Sequence, residues 1–279
     1  MTKNMKTRLI SGFLAAPVVV LMYFNYYSLL LLASVVVFIS SGEYYKMAIT
    51  GNNIKLTNLL SLFSGSSIFL YGLMYDFYYK GELNISPTII FYTVFFLCAS
   101  IILLKIKKID LAKDFLTASL FNVFYISFFL SFFANIYIEY KGSMALLAIT
   151  SVWFYDIGAY FFGIRFGKHK LAPIFSPKKS WEGFFGGLLT TFVFIFIFEK
   201  VREIIFNQEI FNISTMVLFA ILVAIFDTIG DLTESTFKRF FNKKDAGDAL
   251  PGHGGILDRI DGLLIAAPAW YILLKILGI

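Results

Sequence analysis

The sequence predicts an all-α polytopic membrane protein of about nine transmembrane helices, with the N-terminus in the cytoplasm. Three observations carry this expectation. The 279-residue chain is 58% apolar and only 15% charged, whereas a soluble domain carries about 25% charged residues. Its mean hydropathy is +0.77, and phenylalanine alone fills 34 positions. Its Lys and Arg residues fall in alternate connecting segments, the pattern that sets orientation in a bilayer.

A spanning helix needs about 20 mostly apolar residues. Such runs lie near 9–24, 27–41, 57–76, 86–104, 115–136, 144–164, 183–199, 213–232 and 262–278, the first two short and closely joined. The first follows Lys3, Lys6 and Arg8 as a leader would, but no small-residue cleavage site precedes the second run, so it reads as a first helix. The second ends on Glu43, and the fourth contains the one cysteine, Cys98, which reads as a small buried residue with no disulfide partner. The sixth contains Asp156, which demands a partner within an apolar span. The seventh opens on Gly183, Gly186 and Gly187, small residues suited to close helix packing. The eighth ends in an acidic stripe, and a polar, glycine-rich segment leads into the ninth.

With the N-terminus inside, the far-side segments hold only Lys80, Lys141, Lys200, Arg202 and Lys275 of the 24 basic residues. The C-terminus is then expected on the far side. The net charge of +6 is largely topological and does not call for a nucleic-acid partner. No repeat, low-complexity tract or soluble domain is visible. Residues 1–140 read as N-terminal transmembrane helices and 141–279 as C-terminal helices that carry the chemistry, the two forming one integral membrane unit.

That chemistry is expected in two polar segments, 164–182 and 231–261, both on the cytoplasmic side. At the inner end of the eighth span, Asp227, Asp231, Glu234, Ser235 and Lys238 recur at helical spacing, opposite Ile225, Leu232 and Phe237. Such a stripe is costly unless it faces protein, water or a cation, although a snorkelling helix end is the plainer alternative. The segment 235–261 adds Lys238, Arg239, Lys244, Asp245, His253, Gly254, Gly255, Asp258, Arg259 and Asp261. Its glycines permit a tight turn whose backbone can approach phosphate oxygens. Asp258 and Asp261 lie one turn apart at a helix start, where carboxylates can also serve simply as caps. A few hard oxygen ligands, completed by substrate phosphates, are how Mg²⁺ is usually held, so Asp231 and Asp258 are the expected metal ligands, with Asp261 as a third ligand or a group behind them. His253 has no second His or Cys nearby, which excludes a zinc site and leaves a phosphate hydrogen bond or a role in the turn. In the earlier segment, Ser176-Pro177-Lys178-Lys179-Ser180-Trp181-Glu182-Gly183 reads as a turn leading into a helix and suited to an anion. Lys168 and Lys170 read equally well as ordinary inside charges.

These residues resemble a known family. Ser235-x-Phe237-Lys238-Arg239-x4-Lys244-Asp245-x-Gly247-x2-Leu250-Pro251-x-His253-Gly254-Gly255-Ile256-x-Asp258-Arg259-Ile260-Asp261 matches the long signature of the phosphatidate cytidylyltransferases, also called CDP-diacylglycerol synthases, at every defined position. Gly230-Asp231-Leu232-x-Glu234 and the segment from Asp156 to Gly183 are similar to that family too, so the specific motifs cover about the last 130 residues, while the first half resembles the family only in hydropathy and in the Glu43-containing end of the second span. Ser180 stands where relatives often carry Thr, and Asp227 falls at a position that the pattern does not fix. The resemblance implies transfer of CMP from CTP to phosphatidate, a two-cation centre that includes Mg²⁺, a homodimer, and a bacterial cytoplasmic membrane. It implies catalytic roles for Asp231, Lys238, Arg239, Lys244, Asp245, His253, Arg259, Asp258 and Asp261, and substrate-binding roles for Ser176, Lys178, Lys179, Ser235, Gly254 and Gly255. The residues leave open a different lipid phosphate, such as an isoprenoid ether. A cation-coupled transporter is disfavoured, because no inverted pair of broken helices appears and the charges gather at one membrane face.

Overall fold

The computed structural model describes residues 17, 20–21, 23–49, 54–104, 106–206, 210–249 and 254–279. Among them the architecture is helical throughout, apart from one short hairpin. In chain order the helices are α1 (Tyr26–Ala48), α2 (Ile54–Tyr79), α3 (Pro87–Leu103), α4 (Ile109–Phe121), a π-helical stretch (Asn122–Phe128), α5 (Phe129–Phe166), α6 (Trp181–Phe206), α7 (Ile213–Phe240) and α8 (Leu257–Leu277). Among the described residues, six helical runs are long and apolar enough to cross a membrane, and the 17-residue α3 is a shorter apolar helix. Their outer faces expose Leu31, Leu62, Leu70, Ile89, Leu97 and Ile197, as lipid-facing helices do. The chain is an integral membrane protein of the all-α class.

The expected first span, 9–24, lies mostly outside the described residues. The expected fifth and sixth spans fall within a single run, Ile109–Phe166, of 58 residues. At 1.5 Å per residue that is about 87 Å of helix, well over twice a bilayer core. The run is interrupted where Lys141 takes φ 75° and ψ 166°, a conformation no helix accommodates. The sequence division into 115–136 and 144–164 corresponds to the two sides of this break.

The chain divides into two compact units, one formed by Met1–Gly142 with Phe241–Arg259, the other by Ser143–Phe240 with Ile260–Ile279. In the first unit, α1 starts at Asn25, whose side chain caps the amides of Tyr27 and Ser28. α1 then runs along α2, and the Tyr26 hydroxyl donates to the Gly72 carbonyl at 2.7 Å. Buried polar groups pair with one another: the hydroxyls of Ser41 and Ser64 both donate to Asn122 Oδ1, where the π-helical stretch begins.

In the second unit, Phe211, Phe219 and Trp270 stack at 4.8 and 4.1 Å between centroids, and all three are fully buried. In the last turns of α6, the Glu199 carboxylate pairs with Arg202 and accepts the amides of Ile210 and Phe211 at 2.9 Å, which fixes the entry to α7. α6 lies close to α5, where a Cβ at Gly187 would meet the Tyr155 ring at 2.6 Å.

The segment 170–180 corrects one expectation. Ser176–Ser180 is not a turn but β2, paired antiparallel with β1 (Lys170–Ala172) in the register Lys170↔Ser180 and Ala172↔Ser176. A two-stranded ribbon has no central strand, so Pro177 can occupy it without breaking a ladder. The Trp181 amide extends the pairing to the His169 carbonyl, and Glu182, in the first turn of α6, accepts the amides of Lys168 and His169 and bonds His169 Nδ1 at 2.6 Å. The ribbon is thereby tied to the start of α6, whose Gly183 amide is capped by the Ser180 hydroxyl at 3.2 Å.

Candidate catalytic site

α7 carries the acidic stripe on an unbroken 28-residue helix, with Asp227 and Glu234 buried and Asp231 partly open. Asp231 is the meeting point of the two polar segments. Its Oδ2 pairs with Lys179 Nζ of the ribbon at 2.7 Å, and its Oδ1 accepts the Ser235 hydroxyl at 3.3 Å. The structure thus brings together Lys179, Asp231 and Ser235, expected separately as binding and ligand residues. Lys238 is paired with the buried Glu234 one turn earlier. Arg239 is exposed in the last turn of α7, where a cation complements the helix dipole. On β2, Ser176 is half-buried and Lys178 exposed. Asp156 lies exposed on α5, and the neighbouring Tyr155 hydroxyl is 2.7 Å from Thr228 Oγ1 on α7.

α7 and α8 cross where Gly230 meets Asp261 and Gly262. A Cβ at Gly230 would lie 2.7 Å from Gly262 Cα, and one at Gly262 would run into the Asp227 carboxylate. The crossing therefore brings Asp227 of α7 against the first turns of α8. Backbone atoms cannot swing aside as a flexible side chain can. Gly230→Ala is expected to cost about 1–3 kcal/mol by overpacking. Thermal melting of the purified variant tests this, and wild-type melting would mean that the crossing has room to spare.

The rest of the signature lies in the first unit. Asp258 Oδ2 accepts two amides, Ala246 at 3.0 Å and Gly255 at 2.8 Å, closing the loop before α8. The amide of Gly255, an expected phosphate donor, is thus engaged by Asp258. Gly254 has φ +84° and a backbone that approaches Asp258. Lys244, Asp245 and Arg259 are exposed. Residues 250–253, which include His253, lie outside the described residues.

The carboxylates suit a hard cation in kind. Asp227 Oδ2 is buried and has no hydrogen-bond partner among the described residues. Asp156, Asp231 and Asp261 all act electrostatically on Asp227, with Lys179 as a neighbouring cation. Such a surplus of negative charge, with oxygen donors only, is what Mg²⁺ binding requires. Among the described residues, no three or more His, Cys, Asp or Glu side chains are gathered closely enough to hold a metal ion.

Two residues carry more than their sequence positions suggested. Asp227, outside the signature, is buried at the helix crossing. Glu43, noted as a family-like feature at the end of a span and given no role, accepts the amides of Ile256 and Leu257 at 3.0 and 2.9 Å. The signal for Glu43 was a lone carboxylate inside an apolar helix, a costly arrangement without buried partners.

The wider comparison agrees with these motifs. The model of the cytidylyltransferase family matches residues 6–277. A phosphatidate cytidylyltransferase of Thermotoga maritima is 37% identical over 98% of this chain and 97% of its own length. Proteins of the same name from Staphylococcus epidermidis and Haemophilus influenzae are each 46% identical over 46% of this chain, and over 48% and 45% of their own lengths respectively. Since the match runs through both halves of the chain and not the signature alone, the chain belongs to the cytidylyltransferase family.

Proposed function

We propose that this chain makes CDP-diacylglycerol from CTP and phosphatidate, with pyrophosphate as the second product. The observation that carries this reading is the near full-length similarity to a phosphatidate cytidylyltransferase. The ion pair between Lys179 and Asp231, which joins the two motif segments, supports it.

In this reaction a phosphate oxygen of the lipid attacks the α-phosphorus of CTP. The bond from that phosphorus to the bridging oxygen breaks, and pyrophosphate leaves with its electron pair. The lipid phosphate is already anionic near neutral pH, so no strong general base is needed. The obstacle is the approach of two polyanions. Lys178, Lys179, Lys238, Arg239, Lys244 and Arg259 offset that repulsion and stabilise charge on the leaving pyrophosphate. Ser176, Ser235 and Gly254 offer hydroxyl and backbone donors to phosphate oxygens, and His253 offers a ring nitrogen, while Gly255, its own amide held by Asp258, shapes the turn. Asp231, Asp258 and Asp261 are the residues we assign to Mg²⁺, with a second cation completing the centre and Asp245 supporting it. When bound, the metal neutralises phosphate oxygens and screens the reacting phosphorus. We assign the enzyme to a bacterial cytoplasmic membrane as a homodimer, with nine spans, the N-terminus and reaction site on the cytoplasmic side, and no nucleic-acid partner.

Labelled CTP offered with a panel of lipid phosphates tests the acceptor. Label is expected to enter lipid with diacylglycerol phosphate. Transfer confined to an isoprenoid ether phosphate would replace the acceptor, and no transfer to any lipid would remove the reading.

A further inference from the structure

Glu43 sits five residues from the end of α1 and is only 6% exposed. A carboxylate in that position must find hydrogen-bond donors. It finds them far along the chain: the Ile256 amide donates to Oε1 at 3.0 Å across a separation of 213 residues, and the Leu257 amide to Oε2 at 2.9 Å. These amides stand at the entrance of α8, where a helix leaves its first donors without internal partners.

The same carboxylate explains two glycines of the signature. A Cβ added at Gly247 or at Gly255 would lie 2.6–2.8 Å from atoms of the Glu43 side chain. No residue with a Cβ fits there while Glu43 holds its place. Glu43 therefore touches both limbs of the loop, one at Gly247 and the other at 255–257. Asp258 ties the same limbs together through the amides of Ala246 and Gly255. The loop is thus held by two carboxylates, one supplied by α8 itself and one by α1.

We propose that Glu43 is the positioning residue of the signature segment, fixing the start of α8 so that Asp258 and Arg259 are presented in a set register. It acts through that segment and not on substrate. The proposal rests on the cytidylyltransferase reading for its kinetic consequence, while its structural part stands on the hydrogen bonds alone.

The test uses the purified full chain with Glu43→Ala and Glu43→Gln, read by hydrogen–deuterium exchange and by kinetics. In Glu43→Ala, exchange across 245–260 is expected to rise while that of α6 and α7 stays unchanged. kcat is expected to fall on the order of 100-fold, the scale of an ångström-level misplacement. KM for CTP should move by less than about threefold, because no substrate contact is lost. Glu43→Gln should fall between, since its amide oxygen accepts one of the two N–H groups and its NH₂ faces the other. Gly247→Ala should be severe in the native background and add little to Glu43→Ala, because the clash disappears with the carboxylate. Unchanged exchange across 245–260, a lowered melting temperature with native kcat, or simple additivity of the two substitutions would each overturn the proposal. If Glu43→Ala does not accumulate, Glu43→Gln and Gly247→Ala decide it by the same readouts. If the native chain transfers no CMP, the functional reading fails, and the exchange data still decide what Glu43 holds.

Discussion

Asp258→Asn is expected to lower turnover on the order of 100- to 1,000-fold while leaving the fold in place, the scale seen when one charge-stabilising group is lost from a reaction centre. The structure makes this variant unusually informative. Both loop amides, from Ala246 and Gly255, converge on one oxygen, Oδ2. An asparagine can direct its carbonyl oxygen to that point and keep both bonds. It therefore removes the negative charge and spares the anchor. Asp258→Ala removes both, so it should lose activity and also raise hydrogen exchange across 245–258. Native exchange together with lowered turnover in Asp258→Asn assigns the loss to charge. Near-normal turnover of Asp258→Asn at saturating Mg²⁺ would remove this residue from the metal and leave it as a loop anchor only.

Asp231→Asn is expected to be as severe, for a different structural reason. Asp231 holds Lys179 at 2.7 Å, and both side chains are only partly exposed, 33% and 22%. Neutralising the carboxylate weakens the ion pair and leaves the ammonium beside buried Asp227 and the Ser235 hydroxyl. Turnover should fall on the order of 100- to 1,000-fold, and raising Mg²⁺ should restore little of it. Lys179→Met probes the other partner. If Lys179 binds substrate phosphate, KM for CTP or for phosphatidate should rise with it. If it serves only to hold Asp231, kcat should fall alone. Native kinetics for Asp231→Asn would displace the proposed centre from α7.

Much of this was legible in the chain because helices repeat. The alignment of Asp227, Asp231, Glu234 and Lys238 on one face follows from spacing, and α7 is continuous through all four. The pairing of Lys238 with Glu234 is the i,i+4 neighbour that spacing allows. The ribbon at 170–180 was not legible, since a Ser-Pro-Lys-Lys-Ser stretch has turn composition and its pairing depends on Glu182 fastening residues 168 and 169. The break at Lys141, just before Gly142, was legible as the gap between the expected spans 115–136 and 144–164. The role of Glu43 was hidden for a deeper reason. Its partners lie more than 200 residues away, and no local period encodes such a contact. Gly255 was read as an opening for phosphate, and it and Gly247 also make room for that carboxylate.

The central claim is that one chain joins CTP to a lipid phosphate with the help of a divalent cation. The direct measurement is pyrophosphate release by the purified protein, with CTP or ATP, with and without phosphatidate, and in Mg²⁺ or chelator. Release is expected only when CTP, phosphatidate and the divalent cation are present together, matched one for one by CDP-diacylglycerol. Release without phosphatidate would make the protein a nucleotide hydrolase, and full activity in chelator would contradict the assignment of Asp231, Asp258 and Asp261 to a metal.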